Sequence, residues 1–116
     1  MTIIEIKTAH GRDNGYLLAK GHAGNKDVCT AITAIVECLA VNLDLCWDVR
    51  LMRRNNSGDY ELRWRRTKRA RCGIERANQA AGFAYNGLKA LAKAYPQALS
   101  VTWIRDQSGG KQNDNR

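Results

Sequence analysis

The chain has 116 residues, of which 44% are hydrophobic, and its formal net charge at pH 7 is +8. A domain of this size buries about two thirds of its unfolded surface, so it can hold a core without metal or disulfide. No segment approaches ~18 consecutive apolar residues and no basic stretch precedes a long apolar run, so a cytoplasmic protein without a membrane span or secretory signal is expected.

The chain begins with a pattern typical of a strand pair. Residues 2–8 and 16–21 are predicted as strands, and the polar, glycine-containing segment 11–15 between them is predicted as their turn. Two antiparallel strands at the start of the domain are therefore expected.

Residues 28–43 have the three-and-four spacing of a helix that packs on an apolar surface. Its apolar positions are Val28, Ile32, Ile35, Leu39 and Leu43. Cys29 and Thr33 flank this stripe, which predicts that both lie at the boundary between core and solvent.

A second hairpin and a second helix follow. Residues 45–52 and 60–65 alternate apolar and polar side chains around the turn 55–58, which predicts strands with one buried and one wet face. Residues 74–95 have helical periodicity up to Pro96, which ends the helix.

The last predicted strand covers residues 99–104, and residues 107–116, without apolar anchors, are predicted to be a disordered tail. The order β-β-α-β-β-α-β indicates an α+β fold, with a mostly antiparallel sheet and two helices on one face. We expect one domain over residues 1–106.

The four cysteines contain no Cys-x-x-Cys pair. They are Cys29, Cys38, Cys46 and Cys72. We expect no metal, cofactor or disulfide. Cys38 falls within the first predicted helix and Cys72 near the start of the second, which favours structural roles for both.

Cys29 stands where the first helix begins, seven positions after His22. The positive end of a helix dipole stabilises a thiolate, and a neighbouring imidazole can accept the thiol proton. Asp27 is a good N-cap residue, and Gly21 and Gly24 allow unusual backbone angles around His22. The pattern is compatible with a nucleophile and its base, although a core cysteine beside a surface turn would show the same spacing.

Two strings resemble the ribosomal-processing cysteine protease family, Prp. The first is Gly-His-Ala followed by a short polar loop and DVCTAITAIV, from Gly21 to Val36, and the second is GLKALAKAYP, residues 87–96. The second is similar to the closing helix of that family. Order and spacing agree over most of residues 2–106.

The resemblance implies a cysteine endopeptidase with Cys29 as nucleophile and His22 as general base and then acid. Members trim the N-terminal extension of a large-subunit ribosomal protein, and a phage-encoded member would process a virion precursor. A homodimer is also implied. The expected supporting residues are Gly21, Gly24, Asp27, Val28 and Thr33, with oxyanion donors among the N–H groups around Val28 and Cys29 and one in the glycine loop.

Two departures from the family pattern concern this site. The segment between His22 and Cys29 is shorter than usual, which places Asp27 one position nearer the cysteine. Thr33 stands where the family usually has serine. The threonine retains the hydroxyl of that serine. The shorter segment is expected to change which substrates fit the site.

A concentration of positive charge favours an alternative interpretation. Basic residues flank Trp64, and those that best form a nucleic-acid or acidic-partner patch are Arg63, Arg65, Arg66, Lys68, Arg69 and Arg71. The same residues could simply form a solvated hairpin edge. A nucleic-acid-binding module, or a catalytically inactive interaction module on the same fold, is thus an alternative; a protease could also use the patch to approach a nucleic-acid-rich particle.

Overall fold

The computed structural model describes residues 1–9, 14–44, 48–54, 59–65 and 74–106. Within these ranges the predicted order of strands and helices is confirmed. The elements are β1 (Thr2–Ala9), β2 (Asn14–Lys20), α1 (Lys26–Asp44), β3 (Asp48–Arg54), β4 (Asp59–Arg65), α2 (Ile74–Ala94) and β5 (Leu99–Asp106). The predictions for the turn residues 11–13 and 55–58, the tail 107–116, Cys46 and Cys72 lie outside the described residues.

The five strands form one sheet in the order β3-β4-β2-β1-β5. The pairs β1/β2, β2/β4 and β3/β4 are antiparallel, while β1 and β5 are parallel. Parallel neighbours require a crossover connection. The two helices lie in such crossovers. Helix α1 connects β2 to β3 and passes β4, and helix α2 connects β4 to β5 and passes β2 and β1.

One face of the sheet is apolar along its strands and supports both helices. Ile4 and Ile6 of β1 lie beside Ala19 and Leu17 of β2, and these four side chains are buried. Leu62 and Trp64 of β4 extend the layer, while α1 and α2 pack on it and on each other. The predicted α+β class, with a mostly antiparallel sheet and two helices on one face, is confirmed.

Helix α1 begins earlier than its apolar periodicity predicts. The side-chain oxygen of Asn25 accepts hydrogen bonds from the backbone N–H groups of Asp27 (2.9 Å) and Val28 (3.3 Å). This is N-cap geometry, in which a side-chain oxygen satisfies N–H groups that have no partner within the helix. The prediction of Asp27 as N-cap is therefore wrong, because Asn25 occupies that position and Asp27 lies in the first turn.

Two glycines of α2 face its packing partners at ordinary van der Waals distance. A Cβ added to Gly87 would lie 3.6 Å from Ile35 Cδ1, and one added to Gly82 would lie 3.5 Å from the ring of Trp103. These glycines in α2 therefore lie where α1 and β5 pack against the helix.

The opposite face of the sheet carries polar side chains together with the exposed Ile3 and Ile104, and its described part includes a buried carboxylate. Glu61 was predicted to lie on the wet face of its strand, yet it is only 4% exposed. Arg63, two residues along the same face, forms an ion pair with it and also lies over the ring of Tyr16, 5.4 Å from the centroid. The long arginine side chain therefore contributes to covering the carboxylate.

Neither helix in the described ranges combines the length and apolarity that a membrane crossing needs.

Candidate active site

The predicted pair lies at the sheet end where β2 stops and α1 starts. Residues 21–25 make this connection, with His22 just after β2 and Cys29 four residues into α1. His22 is exposed and Cys29 is half-buried, so neither side chain is sealed in the core. The chain therefore places a reachable thiol and a solvent-facing imidazole at the two ends of one short connection.

Both glycines of this connection adopt the expected unusual backbone angles. Gly21 has φ +86° and Gly24 has φ +73°, in the left-handed region that L side chains rarely occupy. A Cβ on Gly21 would lie 2.6 Å from the carbonyl oxygen of Met1, whereas a Cβ on Gly24 would meet open space. Glycine is thus required by angle at both positions, and by lack of space at Gly21.

The connection is held at several points along its length. The N–H of Gly21 donates to Asp59 Oδ1 at 2.9 Å, and its carbonyl oxygen accepts a 3.3 Å hydrogen bond from the Thr2 hydroxyl. Ala23 is buried, and Asn25 caps α1. The backbone on either side of His22 is therefore anchored, while the imidazole projects into solvent.

Within the described residues, no side chain forms a hydrogen bond or ion pair with His22. Asp27 is near enough in sequence to orient the imidazole instead of capping α1, but in the described residues it forms no hydrogen bond or ion pair with His22. Asp27 is exposed in the first turn of α1, where a negative charge interacts favourably with the helix dipole.

The expected oxyanion donors of α1 are already occupied. The N–H of Val28 points to Asn25 Oδ1, and the N–H of Cys29 donates to the carbonyl oxygen of Asn25 at 3.0 Å. The expectation that these two N–H groups are open to an oxyanion is therefore wrong, because the cap lies two residues earlier than predicted. Residues 22–24 retain the expected contribution of the glycine loop.

Thr33 lies one turn after Cys29 and is bonded to it. Its hydroxyl donates a 3.0 Å hydrogen bond to the Cys29 carbonyl oxygen. Since that bond uses the only hydroxyl proton of Thr33, the Tyr60 hydroxyl is the donor in the 3.4 Å contact between Tyr60 and Thr33. The first turns of α1 are thereby linked to β4.

Three residues of this region were not singled out from the sequence. Asn25 had a local signal, because asparagine is as good an N-cap as aspartate and stands three positions before Val28. Asp59 and Tyr60 had no local signal. Asp59 bonds Gly21, 38 positions away, and Tyr60 contacts Thr33, 27 positions away. Only the β2/β4 pairing brings them to the connection.

Only part of the predicted basic patch is described. Arg63 and Arg65 of β4 are exposed, but Arg63 is paired with Glu61 and stacked on Tyr16. The predictions for Arg66, Lys68, Arg69 and Arg71 lie outside the described residues. The structure therefore places two of the six arginine and lysine residues on one strand and leaves the patch as a prediction.

Cys38 lies within α1 as predicted but is exposed, so its thiol is not part of the core, and its structural role stays a prediction. It lines a groove of about 510 Å³ between α1 and α2, together with apolar residues that include Leu39 and Phe83. His22 and Cys29 do not belong to this groove. In the described part of the chain, no three His, Cys, Asp or Glu side chains are grouped as a metal site would need.

Comparison with known proteins identifies the fold. No protein-family model matches the chain, and no curated protein matches it either. The structure is similar to that of the essential ribosomal processing protease Prp from S. aureus bound to a covalently linked product peptide, with a TM-score of 0.67 and 14% identity over 90% of this chain and 100% of that one. A second structure of that protease, with a substrate peptide, gives a TM-score of 0.69 at 11% identity, with the same coverage.

A third structure, SMU.848 from Streptococcus mutans, gives a TM-score of 0.67 at 19% identity, over 91% of this chain and 96% of that one. At these identities the similarity establishes a shared fold and nothing finer. The sequence resemblance to the Prp family is thus matched at the level of the fold.

Proposed function

We propose that this protein is a cysteine endopeptidase that removes an N-terminal extension or precursor segment from a ribosomal or virion protein. The observation that carries the proposal is the placement of half-buried Cys29 in the first turns of α1, with exposed His22 on the glycine-bounded connection that leads into them. The S. aureus structures of the same fold contain a protease with its peptides, which supports a protein substrate. We further propose that the enzyme acts in the cytoplasm as a homodimer.

The chemistry follows from the properties of a thiolate and an imidazole. Cys29 transfers its proton to His22 and attacks the peptide carbonyl carbon, which gives a tetrahedral oxyanion. Collapse breaks the C–N bond, His22 protonates the leaving amine, and an acyl-enzyme thioester remains. His22 then takes a proton from water, the hydroxide attacks the thioester, and the product acid leaves as the Cys29 thiol is restored.

The surroundings of Cys29 supply part of what this reaction needs. Cys29 lies in the first turns of the 19-residue helix α1, at the end where the backbone dipoles of a helix favour an anion. The hydrogen bonds from Thr33 to Cys29 and from Tyr60 to Thr33 fix the backbone that carries the thiol. With the N–H groups of Val28 and Cys29 occupied, the oxyanion donors are assigned to residues 22–24.

The proposal is tested by comparing two cysteines of the same helix. Cys38 is exposed and Cys29 is half-buried, so access alone predicts faster alkylation of Cys38 by iodoacetamide. At mildly acidic pH, where an ordinary thiol with a pKa of ~8.5 is protonated, an activated Cys29 would react faster despite its lower exposure. Fragment-ion mass spectrometry separates the two sites, and His22→Ala should abolish the preference for Cys29.

Turnover is tested with a proteome-derived peptide library in which new N-termini are sequenced by mass spectrometry. Cleavage should disappear in Cys29→Ala and His22→Ala and persist in Cys38→Ala, the matched control on α1. Cleavage that survives Cys29→Ala would exclude the proposed nucleophile. Equal or faster labelling of Cys38 in the wild type would argue against activation of Cys29.

The nucleic-acid alternative has less support in the described residues. Arg63 is engaged by Glu61 and Tyr16 rather than presented alone to solvent. A nucleic-acid binder should lose affinity for nucleic acid with rising salt and on loss of Arg65 or Arg69. Its affinity should not change in Cys29→Ala. An inactive interaction module would show neither cleavage nor selective labelling of Cys29.

A further inference from the structure

We propose that Asp59 is a positioning residue for His22, which it holds in place through the backbone of Gly21. The inference rests on the proposed Cys29–His22 pair and extends it to a residue on another strand. Its basis is the 2.9 Å hydrogen bond from the Gly21 N–H to Asp59 Oδ1, which joins residues 38 positions apart.

The peptide groups of Gly21 are held by side chains from two different strands. Asp59, the first residue of β4, accepts from the N–H, while Thr2, the first residue of β1, donates to the carbonyl oxygen at 3.3 Å. Thr2 is itself 5% exposed and therefore firmly placed. The conformation at φ +86° is thus fixed by partners on both sides of the glycine.

His22 follows immediately and receives its direction from this glycine. On the other side of His22, Ala23 is only 8% exposed. His22 is therefore an exposed residue between two anchored neighbours, Gly21 and Ala23. Glycine has more backbone freedom than any other residue, so its orientation depends on the partners of its peptide groups. Loss of the Asp59 acceptor therefore acts first on the direction in which His22 projects.

A small displacement at this point has a large effect on reactivity. Proton transfer requires the imidazole and the sulfur to meet at hydrogen-bond distance, and an error of ~1 Å can lower the rate about a hundredfold. The proposed role of Asp59 is therefore positional: it bonds the Gly21 N–H and acts on reactivity through His22, the residue that follows.

A double-mutant cycle separates this role from a general contribution to stability. The variants are Asp59→Ala, Asp59→Asn, His22→Ala and the double variant Asp59→Ala/His22→Ala, and the measurement is the alkylation rate of Cys29 by iodoacetamide with Cys38 of the same molecule as reference. Glu5→Gln is the matched control, because Glu5 is a carboxylate of the same sheet whose partner is the Tyr16 hydroxyl.

Asp59→Ala should lower the alkylation of Cys29 by at least about fivefold, with Cys38 unchanged. Asp59→Asn retains an oxygen acceptor for the Gly21 N–H and should stay within about twofold of the wild type. In the His22→Ala background, Asp59→Ala should cause no further change, because the group through which Asp59 acts is gone. Glu5→Gln should react as the wild type does.

Unchanged alkylation of Cys29 in Asp59→Ala would overturn the inference, as would an equal loss with and without His22. If His22→Ala itself leaves the alkylation of Cys29 unchanged, the proposed catalytic pair fails, which is a different result. Should Asp59→Ala not fold, Asp59→Glu replaces it, since its acceptor is displaced by one methylene. The same selective loss is expected there, and wild-type reactivity would again overturn the inference.

Discussion

The Thr33 hydroxyl donates a 3.0 Å hydrogen bond to the main-chain carbonyl oxygen of Cys29 and lies 3.4 Å from the Tyr60 hydroxyl. The turn of α1 that carries the candidate nucleophile is therefore linked to β4. The linkage depends on a hydroxyl at position 33, which threonine and serine share.

Thr33→Val should lower the free energy of unfolding by about 1 kcal/mol, because it removes the hydroxyl that Cys29 and Tyr60 both contact while keeping the side-chain shape. Thr33→Ser should stay close to the wild type. Urea unfolding measures the difference between the two variants. Equal midpoints for Val and Ser would show that the hydroxyl contributes nothing to the start of α1.

Asn25→Ala should cost about 1 kcal/mol, the usual effect of losing an N-cap side chain. The cause is the loss of the acceptor for the N–H groups of Asp27 and Val28. Asn25→Asp should be nearly neutral, and thermal unfolding followed by circular dichroism provides the comparison.

Asp27→Ala is the control that locates the cap. If Asn25 is the N-cap, Asp27→Ala removes only a favourable charge in the first turn and should cost less than Asn25→Ala. A larger loss for Asp27→Ala would indicate that Asp27 is the N-cap, as the sequence pattern predicted.

Gly21→Ala and Gly24→Ala should differ although both glycines have positive φ. At Gly24 the added methyl meets open space, so the cost is about 1 kcal/mol of backbone strain. At Gly21 the methyl also meets the carbonyl oxygen of Met1 at 2.6 Å, so the loss should exceed that for Gly24. Denaturant titration tests the ranking, and the reverse order would contradict the close approach of Met1.

The pKa of the Tyr16 phenol is raised above its ordinary value of 10.0, chiefly by the hydrogen bond that it donates to Glu5, and also by burial and the Glu5 charge, with Arg63 acting in the opposite direction. A pKa raised in the folded state means stabilisation that is complete below the unfolded pKa. This stabilisation is lost as the pH rises through the folded pKa.

Ultraviolet titration of tyrosinate should therefore show Tyr16 ionising later than a free phenol, and Glu5→Gln should lower its pKa. The difference spectrum between wild type and Tyr16→Phe isolates this residue from the other tyrosines. A Tyr16 that ionises at the ordinary value would contradict the 2.5 Å hydrogen bond to Glu5.

Within the described residues, local periodicity was sufficient to predict the order of the elements and most of the buried side of α1. Five residues formed the predicted buried stripe of α1: Val28, Ile32, Leu39 and Leu43 are in the core, whereas Ile35 is only partly buried. Val36 is also buried, although it was left out of that stripe. Such patterns work because a side chain's direction is set by the repeat of its own helix or strand.

Contacts between distant segments were not predictable in this way. The parallel pairing of β1 with β5, the burial of Glu61 and the hydrogen bond from Gly21 to Asp59 each depend on which strands become neighbours. The boundary of α1 was also missed, because two good cap residues stand two positions apart and apolar spacing does not choose between Asn25 and Asp27.

The sequence by itself therefore determined the order of the described elements, most of the apolar stripe of α1 and the candidate roles of Cys29 and His22, because these follow from local repeats and from a motif contained in one short stretch. Only the tertiary structure decided the strand order, the occupied N–H groups at the head of α1 and the anchoring of Gly21 by Asp59 and Thr2. The physical reason is that a hydrogen bond between distant residues depends on where the chain brings them in space, and no local pattern records that.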